Sequence, residues 1–286
     1  MMLKINLKKT LIIDLNEDII GFNDESRFNN IHNSGKTWHK KGLKNMINKT
    51  LNRESVNVIG FQSINGNSVL SFPERTNRVS FSLHLIKIRS KNMAKCESQK
   101  ILDDLLKSKE INEDFIREEF KKQQISNEEL QEKINQATQK PFKNNTAIRK
   151  RIDKIFSNIE IKNKAIVETQ EKELNQFLDE NMELKEELSE ERRIIIILDN
   201  YSAHISKIAK QCAKFLNIKL IFLPTHSPKL NPIEQVWRVM KKRISSIDFK
   251  SIHKLIKKLK NLYYTEIKQK TYTQNWTKKF ININKS

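Results

Sequence analysis

Residues 194–244 read IIIILDNYSAHISKIAKQCAKFLNIKLIFLPTHSPKLNPIEQVWRVMKKRI, and this stretch decides the fold. Ile194 to Leu198 is a continuous aliphatic run ending in Asp199-Asn200, the composition of a central strand covered on both faces. Ile205 to Leu216 then reads as a helix, Ile218 to Leu223 as a second strand and Asn231 to Ile244 as a second helix. Strand, helix, strand, helix is the alternation of an α/β unit. Trp237 and Met240 stand at helical spacing from Ile233, which predicts that all three belong to a core.

Upstream, Ile19 to Phe28, Val56 to Ile64 and Ser68 to Pro73 are rich in β-branched and aromatic residues. Asn65-Gly66-Asn67 separates the last two, which predicts a hairpin. All five glycines lie in the first quarter of the chain, so turns concentrate there. A polar stretch with Trp38, Lys40, Lys41 and Gly42 reads as a long basic loop. From about Lys91 to Arg193 the pattern is helical, with a break near Pro141. Within it Val167, Leu174, Asn181 and Leu188 fall seven apart, with Phe177 and Leu184 on the complementary heptad position. This fits a short coiled coil with a polar seam residue, or an amphipathic helix packing on its own domain. At the end of the chain Ile252, Leu255, Ile256, Leu259, Leu262 and Tyr263 form one apolar stripe, with Lys254, Lys257, Lys258 and Lys260 pointing away.

The chain has 286 residues and a formal charge of +20. An excess of this size favours a polyanionic partner, nucleic acid first. The charge is unevenly spread: residues 1–96 carry +9, residues 97–200 carry −5 and residues 201–286 carry +16. Two basic ends flanking an acidic middle suggest one shared DNA-facing surface. The longest aliphatic run is far too short to span a bilayer, and the N-terminus lacks an uninterrupted apolar core, so a cytoplasmic, nucleoid-associated protein is expected. Cys96 and Cys212 are too few for a disulfide framework or a zinc cluster.

Glu234 is one of only three acidic residues after Asn200, in a region otherwise crowded with lysine. A carboxylate there repels phosphate unless a divalent cation inverts its role. Asn231 as N-cap, Pro232 at the first helical position and Glu234 as capping-box acid give an alternative reading. Asp199 ends a buried strand, where side chains of α/β sheets point into a ligand crevice. It also fits a turn aspartate, with Ser202 capping the next helix. Asp24 shares a strand face with Ile20 and Phe22, whereas Glu25 takes the other face. Asp24 either serves a site or marks the strand's exposed end. The spacing of His204, His226 and His253 matches no zinc pattern.

The 194–244 stretch resembles the catalytic core of mariner-type DDE transposases and related insertion-sequence transposases. Its marks are LDN followed by a histidine, then LPTHSPKLNPIEQVW, with 34 residues between Asp199 and Glu234. NDESRF, TWHKKG and VIGFQSINGNSVL resemble the family's first strand region, which places the first catalytic aspartate at Asp24, with Glu25 as the alternative. The resemblance covers roughly residues 10–75 and 190–250. It implies an α/β fold, a ribonuclease H-like mixed sheet with flanking helices interrupted by a long helical insertion. The expected division is residues 1–96 for the first part of the core, 97–193 for an acidic helical insertion, 194–250 for the second part and 251–286 for a basic helical tail.

The expected function is metal-dependent DNA strand cleavage and strand transfer during transposition of an insertion sequence. The alternative is a catalytically inactive transposase-derived DNA-binding protein. Asp24, Asp199 and Glu234 would hold two Mg²⁺ ions, with Mn²⁺ as a substitute, since hard cations take carboxylate oxygens. Glu25, Asn200, His204, His226 and Asn231 are candidates for supporting those ligands or touching DNA. Lys40, Lys41, Lys229, Arg238, Lys241 and Lys242 are candidate phosphate contacts. The expected partners are transposon-end and target DNA, a second copy of the chain when assembled on DNA, and no membrane. Family members usually carry an N-terminal helix-turn-helix, whereas this chain starts almost at strand one. A separate DNA-recognition polypeptide is therefore a further expected partner.

Overall fold

The computed structural model describes residues 17–30, 54–94, 97–108, 145–225, 227 and 230–267. Lys40, Lys41, His226 and Lys229 lie outside them, as do the basic loop around Trp38 and the break near Pro141. The described chain forms two compact units, one of residues 1–99 and 183–286 and the other of residues 100–182.

The first unit is built on a five-stranded sheet. Its strands are β1 (Asp18–Asn29), β2 (Ser55–Ser63), β3 (Val69–Ser71), β4 (Arg193–Leu198) and β5 (Ile218–Phe222), in the order β3-β2-β1-β4-β5. β2 runs antiparallel to both β1 and β3, while β1, β4 and β5 are parallel. An antiparallel meander joined to parallel strands, with helices on both faces, is a ribonuclease H-like mixed sheet. The hairpin predicted at Asn65-Gly66-Asn67 lies between β2 and β3. Asn65 also reaches back to β1, where its Oδ1 accepts from the Ile20 N–H and its Nδ2 donates to the Asp18 carbonyl.

Three helices flank the sheet within this unit besides α1 (Arg78–Lys91): in final chain order they are α5 (Lys207–Phe215), α6 (Ile233–Ile244) and α7 (Ile252–Asn261), the last running into a π-helical turn at Leu262–Ile267. One core joins Ile20, Phe22 and Phe28 of β1 to Ile195 and Ile197 of β4, and to Val236, Trp237 and Met240 of α6. Leu255 and Leu259 of α7 complete it, as the apolar stripe predicted. α1 was not foreseen. It begins at an Asn77–Ser80 capping box and buries residues all round its surface, including Ser82, His84 and Arg89.

Arg89 explains how α1 can be buried so fully. Its guanidinium donates to the carbonyls of Leu216, Arg192 and Asn217, all at 2.8–2.9 Å. Those carbonyls lie where α5 turns into β5 and where β4 begins. Asn217 adopts φ 51°, the left-handed conformation that ends a helix and that asparagine tolerates. One buried cation thus satisfies three carbonyls at the sheet's edge.

The intervening helices are 97–108 (α2), Asn145–Glu180 (α3) and Met182–Glu190 (α4). The predicted heptad seam is interrupted between α3 and α4 at Asn181, whose side chain donates to the Phe177 carbonyl one turn back. Asn181 is therefore a helix-break residue rather than a polar seam position in a continuous coil. Leu174 and Leu178 are buried by the chain itself. Among the described residues no helix is long and apolar enough to cross a membrane.

Candidate active site

β1 and β4 pair in register as far as Phe22 opposite Ile197, and Asp24 and Asp199 each follow two residues further on. Both aspartates therefore stand at the same end of the paired strands. α6 starts beside the same end of the sheet. Its position is set by Asn231, which is buried and whose Nδ2 donates to the Asn23 carbonyl at 3.0 Å. The residue at the helix start is Pro232, with no side-chain cap. The Asn231 Oδ1, the atom that a cap would use, is buried without accepting from the start of α6, so the capping-box reading of Glu234 falls. The next helix start differs too: Ser206, not Ser202, caps α5.

Asp24 points into the α6 face, as its alternation with Ile20 and Phe22 requires. Its Oδ2 accepts from the indole N–H of Trp237 at 3.0 Å. Burial, followed by repulsion from Glu234 and then Glu25, pushes its carboxyl up to about 7. Asp24 of β1 and Glu234 of α6 are thus near enough for their charges to interact. Gly60 of β2 stands opposite Asp24, and a Cβ there would lie 2.4 Å from the indole. The missing side chain is the seat of Trp237.

Glu25 takes the other face and meets His204. The Nε2 of His204 lies 2.7 Å from Glu25 Oε1, and its Nδ1 lies 2.9 Å from Asp199 Oδ1. With a carboxylate at each nitrogen, both must donate, which makes the ring an imidazolium. Burial works against that charge, but the hydrogen bonds it donates to Asp199 and Glu25 prevail and raise the pKa to about 9. In return the His204 hydrogen bond, aided by the Tyr201 N–H, holds Asp199 below the usual carboxylate range. The ligand atoms of Glu25, Asp199 and His204 all lie within 4.8 Å of one another. Because both ring nitrogens are engaged, His204 fills the place of a cation between two carboxylates and has no lone pair left for a metal. The donors that remain for one are carboxylate oxygens, a set that suits a hard divalent cation.

Asn200 turns away from this cluster, its Nδ2 donating to the Leu223 carbonyl and so tying β4 to the end of β5. Arg238, Lys241 and Lys242 are exposed on α6, one and two turns beyond Glu234, with Lys241 Nζ lying 5.6 Å from the centre of the Phe28 ring. Two contributors escaped the sequence reading. Trp237 was assigned to the core alone, although a buried indole N–H needs an acceptor. Gly60 falls within the predicted strand Val56 to Ile64, where a glycine hints at close approach of another group.

This is a ribonuclease H-like domain with carboxylates gathered at the ends of its central strands. Residues 149–256 match the model of the DDE superfamily endonuclease family. The matched residues include Asp199 and Glu234 and exclude Asp24. A comparison with curated proteins gives no match. Among solved structures, the chain is similar to the Mos1 mariner paired-end complex with Mn, at 13% identity and a TM-score of 0.47, covering 95% of this chain and 54% of that one. It is also similar to the Mos1 strand transfer complex, at 13% identity and a TM-score of 0.44, covering 92% and 53%. For the catalytic domain of Mos1 mariner transposase the values are 13%, 0.42, 95% and 80%. The chain therefore spans about half the length of the Mos1 chains in the two complexes.

Proposed function

We propose that this chain is a DDE transposase that cuts DNA and joins the freed end to target DNA during transposition of an insertion sequence. The observation that carries the reading is the carboxylate grouping. Asp24 and Glu234 lie near enough for their charges to interact, and Asp199 directly follows β4, the parallel neighbour of β1. Such repulsion, in a basic protein, is relieved by divalent cations.

Asp24, Asp199 and Glu234 would hold those cations, two Mg²⁺ or Mn²⁺. When bound they supply Lewis-acid activation of the attacking oxygen and stabilisation of the leaving one. Trp237 keeps the Asp24 carboxylate turned toward α6. Arg238, Lys241 and Lys242 offer phosphate contacts along the helix that carries Glu234, with Lys40, Lys41 and Lys229 as further candidates. Such contacts place the strand without reading its sequence. Pairing of two copies on DNA, a separate polypeptide that recognises the element ends, and residence with the nucleoid belong to the same reading.

The test is a Mg²⁺-dependent nicking assay on supercoiled DNA carrying the flanks of the gene. Asp199→Asn and Glu234→Gln should each abolish nicking while DNA affinity in chelator stays equal or rises. Nicking by either variant at the wild-type rate sinks the assignment.

A further inference from the structure

Asp199 and Glu234 are the exposed members of the three proposed ligands. Asp199 stands one residue beyond β4, and its side chain is 56% exposed. A carboxylate in that position samples several rotamers unless something fixes it. His204 is placed to do so. The ring is fully buried, with Phe81 at a centroid distance of 4.3 Å and Tyr201 edge-on at 5.5 Å, so it has no room to swing. One nitrogen faces Asp199 and the other faces Glu25, the chain neighbour of Asp24.

We infer that His204 is a positioning residue, which, seated on Glu25, fixes the carboxylate of Asp199 for cation binding and refers its position to the strand that carries Asp24. This rests on the three-carboxylate reading given above. The chain Asp199–His204–Glu25 closes a loop from the end of β4 back to β1. The separation of the first two ligands is then set by hydrogen bonds and one peptide unit rather than by a free rotamer. Glu25 in this arrangement acts through His204, which occupies its Oε1. His204 is also too deeply buried to touch DNA.

The experiment measures Mn²⁺ binding to the full chain by calorimetry without DNA, beside the Mg²⁺ concentration for half-maximal nicking. Loss of a residue that orients a metal ligand typically weakens metal affinity roughly 10- to 100-fold. Glu25→Ala, at a partly exposed position, and His204→Ala should each weaken Mn²⁺ binding by about that factor. The double variant should be no worse than the weaker single one, because the two residues act in series. Glu25→Gln should restore binding to within about threefold of wild type, since an amide oxygen still accepts from His204. DNA affinity in chelator should not move.

Wild-type Mn²⁺ affinity in Glu25→Ala overturns the inference. Loss of binding in Glu25→Gln as deep as in Glu25→Ala also overturns it, because Glu25 is then itself a ligand. Asp24→Asn separates the two levels of the reading. Wild-type Mn²⁺ binding in that variant defeats the three-carboxylate site, whereas lost binding there with an unaffected Glu25→Ala defeats the positioning role alone.

Discussion

The indole N–H of Trp237 donates to Asp24 Oδ2 at 3.0 Å, and it reaches that oxygen over the bare backbone of Gly60. A core residue of α6 thereby orients a carboxylate of β1. The apolar packing and the polar site share one side chain, so a change in either is felt by both.

Gly60→Ala should displace the indole, because the new methyl would lie 2.4 Å from it in the present packing. Overpacking of this kind costs about 1–3 kcal/mol. Urea unfolding should register that loss, and nicking should fall about tenfold or more. Trp237→Phe should keep most of the packing and lose the donor, so its nicking should fall further than its stability alone explains.

Burial, then Glu234 and Glu25, raise the Asp24 carboxyl to about 7 from an ordinary value near 3.8. Between those values the folded chain retains a proton that the unfolded chain releases, so stability must decline as pH rises across the window. Without metal, the unfolding temperature should drop from pH 5 to pH 7.5. Asp24→Asn should flatten this slope and be the more stable protein at pH 7.5, by on the order of a few kcal/mol. Mg²⁺ should stabilise the wild type at pH 7.5 and leave the variant unchanged.

Asn231→Ala removes the donor that ties the start of α6 to the Asn23 carbonyl. A buried carbonyl left without its partner costs about 1–3 kcal/mol. Because this tie sets Glu234 against Asp24, the half-saturating Mg²⁺ concentration should rise in the same variant. A stability loss with unchanged metal dependence would show that α6 is positioned by its apolar face alone.

Arg89→Lys should be costly despite retaining charge. An ammonium cannot reproduce the planar fork that serves three carbonyls, and about 2–4 kcal/mol should be lost in urea unfolding. Nicking per folded molecule at low temperature should stay at the wild-type level, since Arg89 lies on the face of the sheet away from Asp24 and Glu234.

The strands on either side of the site were legible because their patterns are extreme: four isoleucines and a leucine before Asp199, and a hairpin turn at Asn65-Gly66-Asn67. α1 was not, because a helix buried all round has no polar face and hence no period of 3.6. Its capping box, Asn77 and Ser80, was the available signal. The faces of β1 followed from alternation alone, which put Asp24 and Glu25 on opposite sides. What each meets there could not be read from spacing, because Trp237 and His204 arrive from more than 170 residues away. Asn231 misled for a related reason. An asparagine before Pro-Ile-Glu is a good cap by local rules, and spacing gives no sign that its Nδ2 reaches the neighbouring strand while its Oδ1 caps nothing.

The parallel pairing of β1 with β4 also bears on how the protein is made. Asp24 leaves the ribosome 210 residues before Glu234 does, and at about 5–20 residues per second that interval lasts roughly 10 to 40 s. For most of it β1 has its hairpin partner but lacks β4 and Asp199, and Glu234 is missing until the end. On the proposed three-carboxylate reading, synthesis itself keeps the site incomplete until its last ligand has emerged.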